Sequence, residues 1–284
     1  MVKSVYRFLS SKFQTIFLDY KVDFKPRFGH GAGKAHPELL KIVEAQRGEY
    51  RTHLESFLKY SPIFEEINKT DHESDQNAPT WNNDFLPGLD IVAIYGLLRE
   101  LNPKQYIEIG SGNSTKVVRK AIIEGELQTK ITSIDPYPRA QIDSLADTVI
   151  RMPIEDMKDY SAIENLEAGD ILFIDNSHRC LPNSDVTVCF LELLPRLKKG
   201  VIVHVHDIYI PFDYPQFMCD RAYSEQYILA AFLLSNPEKY KPILPNYFIS
   251  EDEQLNGILS PIWGLDSLQG VEHHGGSFWF EVMS

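Results

Sequence analysis

The sequence has few cysteines and no long apolar run. Its three cysteines, Cys180, Cys189 and Cys219, are an odd number without metal-ligand spacing, which argues against a disulfide framework and favours a reducing compartment. No stretch approaches the ~20 apolar residues that a membrane-spanning helix needs, and residues 1–20 lack the apolar centre and cleavage site of a signal peptide. We therefore expect a cytoplasmic protein without a membrane span.

Basic residues are also in deficit, because 28 Lys and Arg stand against 40 Asp and Glu and give a formal net charge of -12. No Lys/Arg cluster forms the basic stripe that a nucleic-acid backbone requires. The sequence thus disfavours nucleic acid as a partner and leaves a small-molecule substrate, with a homo-oligomer possible. The 43% share of hydrophobic residues is enough for a sizeable core.

The first part of the chain has helical periodicity. Apolar side chains recur at helical spacing over residues 37–60 and again over residues 89–101, where Asn102 and Pro103 end the pattern. Residues 68–79 are polar and aperiodic, which is typical of a linker. We predict a helical appendage and linker in residues 1–80 and the main domain in residues 81–284.

From residue 105 onward, short apolar runs alternate with amphipathic helices, the pattern of a parallel sheet with crossover helices. The predicted strands are residues 105–109, 131–134, 148–152, 170–174, 201–206, 242–249 and 277–282. The predicted helices are residues 114–124, 184–194 and 221–234. The expected fold class is therefore α/β, with a mostly parallel, doubly wound sheet.

A glycine-bearing loop, Glu108-x-Gly110-x-Gly112-x-Ser114, follows the first predicted strand and opens a helix. Glycines let the backbone approach a ligand, and a helix N-terminus offers unpaired N–H groups. The dinucleotide fingerprint needs a third glycine where this chain has Thr115, which disfavours nicotinamide cofactors. Glu108 could instead organise the loop and attract the cationic methionine end of S-adenosylmethionine, which has no diphosphate to repel.

Two further acids follow the second and third predicted strands. Asp135 is positioned to accept both ribose hydroxyls of a nucleotide, and its alternative role is to cap a helix. Glu155 would lie near the adenine amino group, and its alternative is an ordinary surface turn. Both acids belong to the predicted cofactor site.

Histidines and acids close the fourth and fifth predicted strands, whose ends meet at the ligand edge of an open sheet. Strand alternation predicts that His204 and His206 face one side and Asp207 the other. Methyl transfer to a hydroxyl requires proton removal, for which His178 and His206 are the catalytic candidates. We interpret His204 as a structural hydrogen-bonding group, and a structural role is open for the other two.

Asp175 and Asp207 end adjacent strands and are candidate ligands for a divalent cation, although they could equally cap helices or bind loop amides. Aromatic and polar residues flank the domain's first helix and fifth strand, where a substrate should enter. Ordinary loop packing is the alternative. The predicted substrate-binding residues are Trp81, Asn83, Tyr209 and Tyr214.

Four segments together resemble class I S-adenosylmethionine-dependent methyltransferases, in particular the group called methyltransferase domain 24. They are residues 106–115 (YIEIGSGNST), 133–139 (SIDPYPR), 170–178 (DILFIDNSH) and 204–208 (HVHDI). The resemblance covers residues 81–280 and ends in the run GSFWF. It implies a Rossmann-like seven-stranded sheet whose last strand is antiparallel, with S-adenosylmethionine bound over the first two loops.

The resemblance also implies residue roles. The methionine part would be held by Glu108, Gly110, Gly112 and Ser114, the ribose by Asp135, the adenine by Glu155, and the methyl group would lie near Asp175. Metal-dependent relatives carry a further acid or amide where this chain has Ile208. That departure weakens the case for a cation between Asp175 and Asp207.

Three functions are compatible with these features. The leading one is methylation of an oxygen, or less readily a nitrogen, of a small molecule or sugar-containing metabolite. His204, His206 and Asp207 motivate a second, a metal-dependent oxygenase or hydroxylase on the same fold. The third is a non-catalytic nucleotide-binding module.

Overall fold

A seven-stranded sheet forms the centre of the molecule, and the computed structural model describes residues 6, 8–10, 13–31, 33–70, 75–138 and 141–284. The strands are β1 Gln105–Ile109, β2 Lys130–Ile134, β3 Thr148–Ile150, β4 Ile171–Ile174, β5 Ile202–His206, β6 Tyr240–Pro245 and β7 Ser277–Val282. Their order is β3-β2-β1-β4-β5-β7-β6. β7 is antiparallel to β5 and β6, and the other pairs are parallel. The predicted Rossmann-like α/β fold is confirmed.

Helices precede the sheet and connect its strands. They are α1 Pro37–Glu44, α2 Arg47–Phe57, α3 Ser61–Glu66, α4 Gly88–Leu101, α5 Asn113–Gly125, α6 Ser161–Glu164, α7 Asp185–Thr187, α8 Gln216–Cys219, α9 Glu225–Ser235, α10 Asn246–Glu251, α11 Glu253–Ile258 and α12 Ser260–Trp263. After α7 the chain continues through a π-helical turn, Val188–Leu193, and a 3-10 turn, Leu194–Arg196. Further 3-10 turns are Leu58–Tyr60, Ile154–Asp156 and Asp266–Leu268. None of the described helices is long and apolar enough to cross a membrane.

The two central strands are apolar because helices and neighbouring strands cover them. Every residue of β4 and of β5 is buried, as expected for parallel strands that lack a solvated face. The strand order reverses between β1 and β4, and open α/β sheets bind ligands at that switch point, outside the carboxyl ends of the strands. The fold thus places the loops after β1 and β4 side by side.

The N-terminal helices share one hydrophobic core with the sheet. Tyr50, Leu54 and Phe57 of α2 are fully buried in the same cluster as the strands. The Phe57 ring packs against Gly96 of α4, where an added Cβ would lie 2.3 Å from the ring. The predicted division into residues 1–80 and 81–284 stays a prediction. Arg139 and residues 71–74 of the predicted linker lie outside the described residues.

The predicted strand over residues 242–249 is wrong beyond Pro245, where α10 begins. A short apolar run has no decisive period, and the side chain of Asn246 is drawn into a buried hydrogen-bond network that a continuing strand would break. The predicted helix over residues 221–234 starts late, at Glu225, because Ala222 adopts a left-handed turn with φ +56. Sequence periodicity also missed α10 to α12.

Candidate active site

A cavity of about 880 Å³ opens at the carboxyl ends of β1, β2 and β4. We name it the loop cavity. Its lining includes most of the predicted cofactor residues, namely Gly110, Gly112, Ser114, Asp135, Glu155 and Asp175. The fold therefore brings together residues that are up to 65 positions apart in the chain, from Gly110 to Asp175.

The two loop glycines have different roles. Gly110 has φ +86, and a Cβ there would lie 1.8 Å from the carbonyl oxygen of Asp175, so the approach of the β1 and β4 ends requires glycine. At Gly112 an added Cβ would meet nothing within 4 Å, and the residue lines the loop cavity. Gly110 is needed by the fold, whereas Gly112 leaves room for a ligand.

Asp135 ties the loops after β1 and β2 together. Its Oδ2 accepts a hydrogen bond from the Ser111 backbone N–H at 2.9 Å, and its Oδ1 accepts one from the Tyr137 N–H at 2.8 Å. Ser111 Oγ also donates to Oδ2 at 3.4 Å, whereas Oδ1 keeps a second lone pair that a hydroxyl can use, and the carboxylate lines the loop cavity. The geometry is compatible with the predicted ribose acceptor, and in place of the alternative helix cap the carboxylate binds loop N–H groups.

Glu108 lies beneath the glycine-bearing loop. Its side chain is fully buried and does not line the loop cavity. Thr115 Oγ1 donates to Glu108 Oε1 at 2.6 Å, and Oε2 has no hydrogen-bond partner among the described residues. Burial, reinforced by Asp135 and Asp175, raises the pKa of Glu108 to about 8. The structure thus places Glu108 behind the loop, not at the cavity surface where direct contact with a ligand was predicted.

A second cavity of about 620 Å³ adjoins the first, and we name it the aromatic cavity. The predicted residues Trp81, Asn83 and Tyr209 line it, and residues not predicted include Phe217, Met218, Arg221 and Tyr223. Residues 82–86, Asp175 and His206 line both cavities. Asp175 and His206 therefore mark the junction of the cavities.

The prediction for Tyr214 is wrong, because this side chain does not reach the aromatic cavity. Tyr214 is fully buried, and its hydroxyl accepts a hydrogen bond from the Gln226 N–H at 3.1 Å. Its ring supports Tyr209 and Tyr223 from behind, with ring centroids 6.0 and 5.7 Å away. An aromatic residue in a sequence gives no sign of which layer of a loop it occupies.

His178 is buried beside the junction. Its Nδ1 lies 2.5 Å from Glu225 Oε1, and its Nε2 lies 3.2 Å from Asp207 Oδ2 and 3.6 Å from Asp175 Oδ1. Its ring stacks on Tyr223 at 4.6 Å. Although burial opposes protonation, Glu225, followed by Asp207 and Asp175, raises the pKa of His178 to about 9. The neighbouring acids therefore favour the protonated form of this ring.

His206 has a similar environment on the other side of the junction. Its Nε2 lies 3.4 Å from Asp90 Oδ2, and its Nδ1 lies 3.6 Å from both Asp175 Oδ1 and Asp207 Oδ1. Burial again opposes protonation, but these three carboxylates raise the pKa of His206 well above its usual range. The acids around the junction thus favour the protonated form of both rings beside Asp175 and Asp207.

The prediction that Asp207 faces away from His206 is wrong. β5 ends at His206, and Asp207 has φ +54, so strand alternation no longer applies and the carboxylate turns back toward the junction. Asp207 lines the aromatic cavity beside His178 and His206. The left-handed turn is a local feature that strand periodicity does not reveal.

The predicted hydrogen-bonding role of His204 is also wrong. Its side chain is fully buried, and neither ring nitrogen has a hydrogen-bond partner among the described residues. The ring stacks on Trp279 at 3.8 Å and packs on Phe173 at 4.6 Å, and burial lowers its pKa well below the usual range. His204 is a neutral core residue, so the metal triad that motivated an oxygenase does not form.

Comparison with known protein families matches the central part of the chain. Residues 107–208 match the family model described as a methyltransferase domain. The chain contains a class I, S-adenosylmethionine-dependent methyltransferase domain. The match runs from β1 to just beyond β5 and so includes the glycine-bearing loop, Asp135 and both strand ends at the junction.

The methyltransferase is also similar to solved proteins. One of them is the SAH-bound Podospora anserina methyltransferase PaMTH1, at 13% sequence identity and a TM-score of 0.43, over 82% of this chain and 88% of that chain. A search of curated proteins finds no match.

The residues of the methyltransferase do not fit the predicted divalent cation at Asp175 and Asp207. Within the described part of the chain, no group of three or more His, Cys, Asp or Glu side chains is arranged to hold a metal ion. The ring nitrogens of His178 and His206 already lie 3.2 to 3.6 Å from both acids. Ile208, at the position where metal-dependent relatives carry a ligand, is an apolar core residue.

Two acids of the methyltransferase's junction were not predicted. Asp90 is the third residue of α4 and Glu225 is the first residue of α9. Acids in a first helical turn are common because they interact favourably with the helix dipole, so neither position stands out. An acid flanked by Leu89 and Ile91 in an otherwise apolar helix was the available signal for Asp90.

Proposed function

We propose that this methyltransferase transfers the methyl group of S-adenosylmethionine to an oxygen of a small molecule or sugar-containing metabolite. The observation that carries the proposal is the pair of adjoining cavities, which meet at Asp175 and His206. In this assignment the loop cavity holds the cofactor and the aromatic cavity holds the acceptor. Transfer occurs where they meet.

The cofactor assignment has three supports. Gly110, Gly112 and Ser114 bring backbone to the cavity edge at the start of α5, where the helix offers unpaired N–H groups. Asp135 and Glu155 line the adjoining wall, where the ribose and adenine would lie. In this proposal Glu108 contributes through the loop that it supports, and its negative charge, when ionised, favours the cationic end of the ligand.

Charge at the junction suits a sulfonium. Four carboxylates, Asp90, Asp175, Asp207 and Glu225, surround the two histidines, so acids outnumber bases. A buried excess of negative charge attracts a cation more strongly than the same charges in water would. Asp175, which lines both cavities, is the acid that we place beside the methyl-bearing sulfur.

The aromatic cavity suits a small acceptor. Trp81, Tyr209 and Tyr223 provide flat apolar surface, and Asn83 adds an amide among them. Cavities of this size with a few polar groups are typical of small-molecule sites. The structural role of the walls is to hold the acceptor oxygen in line with the sulfur–methyl bond, because displacement requires that alignment.

Proton removal from the acceptor is assigned to Asp207. His178 and His206 were the predicted proton acceptors, but the surrounding acids favour their protonated forms, which have no lone pair available for a proton. Asp207 lines the aromatic cavity, and its Oδ2 lies 3.2 Å from His178 Nε2. We therefore assign proton acceptance to Asp207 and its orientation to His178, with His206 flanking the reacting atoms.

Product analysis tests this function. The protein is incubated with methyl-deuterated S-adenosylmethionine and a panel of hydroxylated and aminated metabolites, and the products are read by mass spectrometry and NMR. We expect a labelled methyl ether from at least one hydroxyl compound, lost in Asp207→Asn and retained in the exposed-site control Asp266→Asn. Labelled methyl exclusively on nitrogen, or equal turnover by Asp207→Asn, would contradict the proposal.

A further inference from the structure

Two fully buried acids stand behind the histidines of the junction. Asp90 and Glu225 are both 0% exposed, and neither lines the loop cavity or the aromatic cavity. An isolated buried carboxylate is costly unless it is paired or hydrogen-bonded. Their partners therefore indicate what they do.

Glu225 depends on His178. Its Oε1 lies 2.5 Å from His178 Nδ1, and its Oε2 has no hydrogen-bond partner within the described residues. His178 is therefore the group that offsets burial of this carboxylate. With Nδ1 fixed by Glu225, the opposite nitrogen, Nε2, is directed toward Asp207 at 3.2 Å and Asp175 at 3.6 Å.

Asp90 is held independently of its histidine. Its Oδ1 accepts hydrogen bonds from Asn246 Nδ2 at 2.8 Å and Ser277 Oγ at 2.7 Å, and its Oδ2 accepts one from the Gly276 N–H at 2.8 Å. This fixed carboxylate lies 3.4 Å from His206 Nε2. The opposite nitrogen, Nδ1, is directed toward the same two junction acids, each 3.6 Å away.

The two arrangements converge although they come from different elements. Asp90 on α4 reaches the histidine that ends β5, and Glu225 on α9 reaches the histidine in the loop after β4. In both cases the ring nitrogen away from the buried acid points to Asp175 and Asp207. An imidazole ring can flip about its last torsion unless a partner fixes it. Glu225 supplies such a partner at hydrogen-bond distance, whereas Asp90 supplies an ion-pair contact at 3.4 Å to a nitrogen that has no hydrogen-bond partner among the described residues.

We propose that Asp90 and Glu225 are positioning residues for methyl transfer, each orienting one imidazole so that its distal ring nitrogen faces the acid pair Asp175 and Asp207. This inference rests on the proposed function, because it assigns the two acids to the reacting centre. The buried acids do not touch substrate or cofactor. They act through His206 and His178.

The test combines kinetics with NMR on Glu225→Gln and Asp90→Asn. Orienting partners of functional histidines typically contribute about 10- to 100-fold to activity. We expect kcat to fall by about that factor, while KM for S-adenosylmethionine and for the acceptor stays within about 2-fold because no lining residue changes. The ¹⁵N shifts of His178 should change in Glu225→Gln, and those of His206 in Asp90→Asn.

Matched controls separate positioning from folding. Asp170 is also buried but accepts backbone N–H bonds from Lys104, Gln105 and Glu167, away from both cavities. Asp170→Asn should lower the melting temperature without changing kcat or either histidine's NMR signals. Glu225→Asp keeps the carboxylate on a side chain that is shorter by one methylene group. We expect its kcat to lie between those of wild type and Glu225→Gln. This milder change gives a readout if Glu225→Gln does not fold.

The outcomes are decisive in each direction. Unchanged kcat and unchanged histidine shifts in a folded Glu225→Gln or Asp90→Asn would overturn the inference. A rise in KM with kcat intact would also overturn it, because that result assigns the acids to ligand binding. The NMR experiment uses the protein without substrate, so it measures the positioning of the rings separately from activity. Failure of wild type to methylate any hydroxyl would reject the proposed function without affecting this measurement.

Discussion

At the scale of single residues, the junction is organised by charge. His178 and His206 lie between buried acids on one side and the junction acids Asp175 and Asp207 on the other. These acids raise the pKa of both histidines and favour their protonated forms. Our proposal that a carboxylate accepts the proton rests on this environment.

Substitution of Asp207 tests that assignment. Asp207→Asn keeps the shape of the side chain but removes its basicity. Because a positioned acid–base group contributes about 100-fold or more to rate, we expect kcat to fall by about 100-fold or more while KM for S-adenosylmethionine changes little. Steady-state kinetics and calorimetric cofactor titration measure the two quantities. A variant with wild-type kcat would remove Asp207 from the mechanism.

The raised pKa of Glu108 predicts a dependence of stability on pH. Its pKa is 4.5 in an unfolded chain and about 8 in the folded protein, so the folded state retains a proton that the unfolded state loses. The contribution of this proton to the stability of the folded state is fully present below pH 4.5. It decreases as pH rises and is lost once pH passes about 8. Glu108→Gln cannot ionise, and its amide oxygen still accepts from Thr115.

We therefore expect the melting temperature of Glu108→Gln to rise relative to that of wild type as pH rises. The difference in melting temperature should be small at about pH 5 and reach several degrees at about pH 9. This expectation uses a change of about 2–4 °C in melting temperature per kcal/mol of unfolding free energy. Thermal melts across this range measure it. Parallel melting curves for the two proteins would show that burial does not perturb Glu108.

The site residues that the sequence predicted belong to local patterns, whereas those that it missed depend on distant partners. Gly110, Gly112 and Asp135 belong to local patterns at strand ends, which a sequence displays directly. Asp90 and Glu225 acquire their roles from partners that are distant in sequence, such as the Glu225–His178 pair, 47 positions apart. Asp207 was identified but wrongly oriented, because its left-handed turn is set by tertiary contacts that periodicity does not encode.

At the scale of elements, the strand–loop–helix unit from β1 to α5 positions the cofactor site. β1 and β7 have the predicted bounds because apolar runs there are long and framed by turn residues. α10 to α12 were not predicted because the apolar run after β6 fits both the helical and the strand period. The hydrogen bonds of the buried Asn246 favour the helix there. Local patterns thus predicted the sheet well and the segment between β6 and β7 poorly.

The β1–α5 loop provides a matched pair of glycine variants. Gly110→Ala places a methyl group against the Asp175 carbonyl at positive φ, so we expect a loss of about 1–3 kcal/mol of stability, or more where the clash cannot relax. Gly112→Ala projects into open space, so it should fold normally but bind S-adenosylmethionine more weakly. Melting and calorimetry separate the two effects. Normal cofactor affinity in Gly112→Ala would place the ligand elsewhere.

At the scale of the whole molecule, the helices before residue 80 and the sheet share one core. Phe57→Ala removes a ring that packs against Gly96 of α4, and such truncations typically cost about 3–5 kcal/mol. We expect a lower melting temperature with a single cooperative transition for the entire chain. Two separate transitions, with the sheet melting as in wild type, would show instead that the predicted unit of residues 1–80 unfolds by itself.

A crystal structure with bound S-adenosylhomocysteine tests most directly whether the two cavities are a cofactor site and an acceptor site. The result expected is a ligand in the loop cavity, with its ribose on Asp135, its amino-acid end at Gly110–Gly112 and its sulfur directed past Asp175 toward the aromatic cavity. A ligand bound outside the loop cavity, or one whose sulfur points away from the aromatic cavity, would contradict the site proposed for methyl transfer.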